Sequence, residues 1–317
     1  MSEPEKHPAP SWEREVLEKL ALSAIQEQRR TRHWGILFKT LGFIYLFIVL
    51  FLAAGWFRSD GVAIPKAHTA LVDLQGVIAS DQVSADAIIA SLQGAFEDKK
   101  TRGVVLRINS PGGSPVQAGQ IYDEIKRLRA KYPNIPLYAV VDDICASGGY
   151  YVAVGADKIF VDKASIVGSI GVLMDGFGFT KTMEKLGVER RLLTAGENKG
   201  FLDPFSPADP AQMAYAKQML EEIHGQFVAV VREGRGKRLK ETPETFSGLV
   251  WSGEKSIELG LADAYGTVES VARDVIKAED IVDYTQQDSL IDRLAGRLGA
   301  GAAKALAPFA QPGVHLR

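Results

Sequence analysis

One serine in this chain is placed to act as a nucleophile. Asp142-Asp143-Ile144-Cys145-Ala146-Ser147-Gly148-Gly149-Tyr150-Tyr151 puts Ser147 after an apolar run and before two glycines. Leu137-Tyr138-Ala139-Val140-Val141 has the β-branched, apolar character of a buried strand, and Tyr150-Tyr151-Val152-Ala153-Val154 can wind into a helix behind it. A serine at such a turn presents its hydroxyl beside free backbone N–H groups, which can stabilise an oxyanion. A plain Ser-Gly-Gly loop needing positive φ is the other reading of these residues. A second glycine pair, in Asn109-Ser110-Pro111-Gly112-Gly113-Ser114, closes the strand expected next to the first. Its N–H groups could face Ser147 across the top of the sheet; a tight strand-to-helix turn explains the same residues.

A serine hydroxyl needs a base, most often histidine. The chain has five: His7, His33, His68, His224 and His315. His7 and His33 precede or enter an apolar segment, His315 lies in the tail, His68 opens a strand, and His224 falls in mid-helix. None has metal-ligand spacing, so neither a metal nor any other cofactor is expected. A lysine serves as base when desolvation lowers its pKa. Most lysines here fall in charged surface patterns such as Lys99-Lys100, whereas Lys199 sits in Gly196-Glu197-Asn198-Lys199-Gly200-Phe201-Leu202-Asp203-Pro204-Phe205, a polar turn running into apolar residues. By itself that lysine reads as an exposed loop residue. Cys145, the single cysteine, allows no intrachain disulfide and reads as a small buried filler two residues from the serine.

These groups must be held by a scaffold, and the chain alternates strand and helix patterns from residue 68 onward. Strands are expected at 68–78, 103–109, 135–141, 158–161 and 188–193. Helices are expected at 84–96, 114–132, 180–186 and 210–233, the last capped by Asp209. Such alternation predicts βαβ units around a parallel sheet, an α/β fold. Of 317 residues, 46% are hydrophobic and 24% charged, with a net charge of −2, which gives no electrostatic case for nucleic acid.

Residues 41–57 (LGFIYLFIVLFLAAGWF) carry no charge, and residues 35–38 extend the apolar run. The span reaches the ~20 residues that a bilayer requires, with Lys39 snorkelling to the headgroups. Arg29, Arg30, Arg32 and Lys39 precede or open it and Arg58 follows. That asymmetry predicts a cytoplasmic N-terminus and an extracytoplasmic body. Ala53-Ala54-Gly55 also fits a cleavage site, but the polar leader is long for a signal peptide, and an uncleaved anchor is expected. The expected organisation is a cytoplasmic segment at 1–34, disordered over 1–10 with an amphipathic helix over 11–30, then an anchor at 35–57. A catalytic domain at 58–285 and an amphipathic tail at 286–317 follow, the tail carrying Leu290, Leu294 and Leu298 at helical spacing.

Four ordered motifs carry a resemblance: Ser110-Pro111-Gly112-Gly113, Ala146-Ser147-Gly148-Gly149-Tyr150-Tyr151, Gly168-Ser169-Ile170-Gly171-Val172, and Asn198-Lys199-Gly200 with Asp203-Pro204-Phe205. With Gly248-Leu249-Val250-Trp251-Ser252-Gly253 downstream, the chain resembles the bacterial signal peptide peptidase A family over roughly residues 68–275, its half-size type with a single set of motifs. That resemblance implies a ClpP/crotonase-like fold and a Ser–Lys dyad: Ser147 as nucleophile, Lys199 as general base, Ser169 orienting the lysine amine, Gly148 and Gly113 as oxyanion donors, and Gly112 shaping their turn. It also implies released signal peptides or other hydrophobic peptides as substrates. A ring-like homo-oligomer, an octamer, in which neighbours share sites, is the implied assembly, in a bacterial inner membrane and facing the periplasm. A SohB-like periplasmic protease, a crotonase-fold acyl-CoA enzyme and a non-catalytic peptide-binding membrane scaffold remain the alternatives.

Overall fold

The alternation of strand and helix does build a parallel sheet. The computed structural model describes residues 12–53 and 67–286. Strands β1 (His68–Gln75), β2 (Thr101–Ser110) and β3 (Leu137–Ala146) are parallel and in consecutive order, joined by helices α2 (Ala85–Glu97) and α3 (Pro115–Lys131), α1 being the N-terminal helix treated below. Ser84 caps α2 through the Ala87 N–H, and Ser114 caps α3 through the Gln117 N–H ahead of a proline in the first turn. After β3 come α4 (Gly148–Ala153), β4 (Lys158–Val161), β5 (Ile166–Gly168), α5 (Thr180–Leu186) and α6 (Pro210–Arg235). Then follow β6 (Val250–Ser252), α7 (Gly253–Glu258), β7 (Ala264–Tyr265), α8 (Val268–Ser270, continuing as a π turn over Val271–Ile276) and β8 (Ile281–Asp283).

The sheet runs β6-β5-β3-β2-β1-β8, with β4 on β3 and β7 on β4. Its β3 strand forks. Tyr138–Val140 pairs with β4, while Ile144–Ala146 pairs with β5. The fork lets one strand serve two neighbours and leaves its C-terminal end at the serine turn. Val72, Leu74, Leu106, Ile108, Ala139 and Val141 face the main core, with Ile121, Ile125 and Leu92 from the covering helices. The opposite face carries a smaller cluster of Leu71, Val105, Val140 and Phe160 under Val268 and Val271. A sheet covered on both faces explains why its central strands read as unbroken apolar runs.

One expected strand is absent. Residues 188–193 form no ladder, because α5 ends at Gly187 (φ 68) and the chain then runs with Val188, Leu192 and Leu193 exposed. β-branched and apolar residues favour a strand only when a neighbouring strand or core receives them, and this segment has neither. Strands β5, β6, β7 and β8, of two or three residues each, were not expected; they are too short for a period-2 pattern to show.

The N-terminal unit is a separate body. Residues 12–53 form one helix, α1 (Trp12–Ala53), which merges the expected amphipathic and membrane segments. Within it, Glu27–Phe51 has a mean hydropathy of 2.0 and is long and apolar enough to cross a membrane. This stretch starts earlier than the expected 35–57, whose last four residues lie outside the described ones. The expected disorder at 1–10 and the helical tail from residue 288 also fall outside them.

Candidate active site

Ser147 stands at the junction of β3 and α4 with φ 51 and ψ −122. Few non-glycine residues occupy this region, at a cost of about 1–3 kcal/mol, and such strain collects at functional sites. The preceding Cys145 and Ala146 are buried, and Ser147 itself is half-buried. The turn is locked from behind. Tyr150 is fully buried, its hydroxyl donating to the Leu261 carbonyl at 2.8 Å, and the Tyr151 N–H returns to the Ser147 carbonyl at 2.9 Å. Burial pushes the Cys145 thiol far up, so it supplies no thiolate beside the serine.

The Gly112–Gly113 turn meets this elbow directly. A Cβ on Gly112 (φ 102) would lie 2.7 Å from both the Ser147 Cβ and the Gly148 nitrogen. No L side chain fits there. A Cβ on Gly113 (φ 147) would run into the Ile78 carbonyl, so this turn also presses against the segment that follows β1. The Gly112 N–H donates to Ser110 Oγ at 3.1 Å, while Ile78 N–H reaches the Gly112 carbonyl at 2.8 Å. Gly112 thus shapes the turn and has its own N–H engaged. The Gly113 nitrogen lies 3.3 Å from where a Cβ on Gly148 would stand, so the Gly113 and Gly148 backbones flank the serine together.

Ser169 arrives from the neighbouring strand. In the β3–β5 ladder Ala146 pairs with Gly168, which makes Ser147 and Ser169 the next residues on adjacent strand ends. The Ser147 N–H donates to the Gly168 carbonyl at 2.8 Å, and the Ser169 N–H to the Leu249 carbonyl at 2.8 Å. Ser169 has the same φ of 51 as Ser147, and Gly168 between the two ladders has φ 113.

Lys199 makes no hydrogen bond to either serine among the described residues. It lies in a turn closed by its own N–H on the Gly196 carbonyl at 3.1 Å, and its side chain is exposed. Among the described residues its amine makes no hydrogen bond or ion pair. The turn belongs to an arm, residues 171–209, whose apolar side chains face outward: Leu173 and Phe177 are each 79% exposed and Leu193 is 97% exposed. Two residues near the serines went unrecognised in the sequence. His224 Nε2 lies 3.2 Å from the Ile170 carbonyl, and Trp251 packs on Gly168. Helical register discloses that His224 shares a face of α6 but not which loop that face meets; Trp251 stood inside a quoted motif with no role attached.

Known proteins agree with this architecture. The family model described as Clp protease matches residues 67–165, and that described as peptidase family S49 matches residues 129–281. A Brucella melitensis protein named Na(+)/H(+) antiporter NhaA is 44% identical over 182 residues, 57% of this chain and 25% of that protein. This chain therefore spans about a quarter of the length of that relative. A provisionally named protease of Synechocystis sp. is 30% identical over 247 residues, covering 73% of this chain and 87% of that protein. Protease 4 of Haemophilus influenzae is 31% identical over 229 residues, 70% of this chain and 36% of its own. Ser147 falls inside both matched ranges, and with these matches the chain belongs to peptidase family S49.

Proposed function

We propose that this protein is a membrane-anchored serine endopeptidase that cleaves hydrophobic peptides, released signal peptides among them, through an acyl-enzyme on Ser147. The strained φ of 51 at Ser147, in a turn closed by Gly112 and Gly148, carries this reading. The Ser147 Oγ attacks the scissile carbonyl, and the Gly148 and Gly113 N–H groups receive the oxyanion. Lys199 takes the hydroxyl proton and delivers it to the leaving amine as the peptide C–N bond breaks, while Ser169 orients the lysine amine. The acyl group then leaves to a water activated by the same lysine.

Because Lys199 is exposed on an arm with outward apolar side chains, assembly is part of the proposal. A neighbouring copy covers the arm, strips water from the lysine and lowers its pKa toward the range of a working base. The homo-oligomer, an octameric ring by resemblance, then completes each site from two chains. The helix spanning Glu27–Phe51 anchors the assembly, with the catalytic body on the extracytoplasmic side of a bacterial inner membrane. The match to the Brucella relative covers 25% of that protein, so its antiporter name is not carried over.

A fluorophosphonate probe followed by peptide mapping tests the nucleophile. Labelling on Ser147, with peptide cleavage lost in Ser147→Ala, is the expected result. Full cleavage by Ser147→Ala would end the reading, and unlabelled, inactive wild-type protein that still captures peptides would point to a binding scaffold.

A further inference from the structure

The turn that presents Ser169 is held by two elements far away in sequence. On one side β6 lies antiparallel to β5, with Gly168 opposite Val250 and Val167 opposite Trp251. The Ser169 N–H is spent on Leu249, and a Cβ at Gly168 would stand 3.0 Å from Trp251 Cδ1 and 3.1 Å from the Leu249 carbonyl. Gly171 approaches the same strand entry: its Cβ would lie 3.1 Å from the Gly248 Cα. The motif Gly168-Ser169-Ile170-Gly171 is thus seated on Gly248-Leu249-Val250-Trp251, glycine against glycine at one end and glycine against indole at the other. The Trp251 Nε1 is buried and has no hydrogen-bond partner among the described residues, so what the indole supplies to the turn is packing.

On the other side stands α6. His224 is half-buried and its Nε2 meets the Ile170 carbonyl at 3.2 Å. A carbonyl only accepts, so Nε2 carries the proton. The Ile170 side chain is fully buried, which leaves its peptide little freedom except at this carbonyl. The same turn receives the Ser147 N–H through Gly168, so both serines depend on it.

We propose that His224 and Trp251 are positioning residues: from α6 and β6 they clamp the Gly168–Ile170 turn in the strained shape that sets Ser169 beside Ser147. Neither is assigned a contact with substrate. Each acts through the turn, and the proposal rests on Ser147 and Ser169 belonging to a peptidase site. A donor at position 224 and a flat ring at position 251 are the two requirements.

The test uses the full-length protein in detergent, a fluorogenic hydrophobic peptide amide as substrate, and fluorophosphonate labelling to count active sites. His224→Leu should lower kcat per labelled site about tenfold, the effect of one lost hydrogen bond, with KM within about twofold. His224→Gln, which keeps an N–H donor, should recover to within about threefold of wild type. Trp251→Ala should lower kcat per labelled site, and Trp251→Phe should restore most of it. If the variants only reduce the fraction of labelled protein while kcat per site stays at the wild-type value, the residues serve stability alone and the proposal fails. It fails equally if Gln at 224 is no better than Leu. Wild-type protein that neither labels nor cleaves would overturn the peptidase reading itself, a result distinct from an active wild type with indifferent variants.

Discussion

Ser147 donates its backbone N–H to the carbonyl of Gly168 at 2.8 Å, across the final rung of the ladder between β3 and β5. Immediately past that rung both strands leave the sheet through a serine with φ 51. With an extended φ, two residues paired across the ladder would keep their hydroxyls on one face of the sheet. The shared departure instead turns both chains out at the same level, the arrangement that the proposed nucleophile and lysine-orienting hydroxyl require.

Gly112→Ala should damage the elbow more than it damages the fold. Its new methyl would meet Ser147 Cβ and the Gly148 nitrogen at 2.7 Å, forcing apart the two backbones that flank the serine. Loss of one oxyanion donor costs about 10²–10³ in kcat, and a fall of that order is expected here. The check is kcat per labelled site beside the thermal midpoint; wild-type turnover would mean that the turn takes no part.

Lys199→Ala should reduce turnover by about 10²–10⁴, the contribution of a general base. Because Lys199 has no partner within its own chain among the described residues, Ser147→Ala and Lys199→Ala proteins should complement each other when co-expressed. Activity in the mixed assembly, measured after purification through tags on each variant, is the expected outcome. Two inactive variants that stay inactive together, in a confirmed hetero-oligomer, would assign both residues to one chain.

A buried ion pair behind the site predicts a pH-dependent stability. Arg235, 1% exposed, holds Asp263 through Nη1 at 2.9 Å and Nη2 at 3.0 Å, and its Nε donates to the Gly260 carbonyl at 2.7 Å. Burial opposes ionisation of Asp263, but the Arg235 guanidinium, the Ile159 N–H and Arg238 together hold its carboxyl below the ordinary range. A depressed carboxyl stabilises the fold fully above its unfolded value of about 3.9, and this contribution fades as pH falls through the folded value. Arg235→Met should cost about 3–5 kcal/mol at neutral pH by stranding the carboxylate. Denaturation series at several pH values should show the gap between variant and wild type narrowing toward pH 3; a gap that widens there would contradict the assignment.

The Glu27–Phe51 span should hold the protein in membranes through an alkaline carbonate wash, and removal of residues 1–57 should release it. External protease should digest the body in spheroplasts and spare it in inside-out membrane vesicles, where the body is enclosed. Protection in spheroplasts would reverse the topology.

How much of this was legible without a structure follows from the range of the interactions involved. The strands at 68–78, 103–109 and 135–141, their capped helices and the α/β class depend on periodicity and caps, which are local, and they stand in the structure as β1, β2, β3, α2 and α3. The serine on its glycine turn was visible for the same reason: Gly112 takes a positive φ, and Gly112 and Gly148 approach neighbouring backbone closely, where a side chain fits poorly. The apolar content of residues 188–193 misled because strand propensity is completed only by a partner, and none pairs with it. The fork of β3 pairs it with residues about 20 positions on, Gly168 meets Trp251 (251 − 168 = 83 positions away), His224 reaches Ile170 across 54 positions, and Lys199 is left exposed. Sequence alone singled out the residues proposed to carry the chemistry. Tertiary structure decided which of them meet, because strand register and helix packing bring distant segments together by burying surface that no local pattern records.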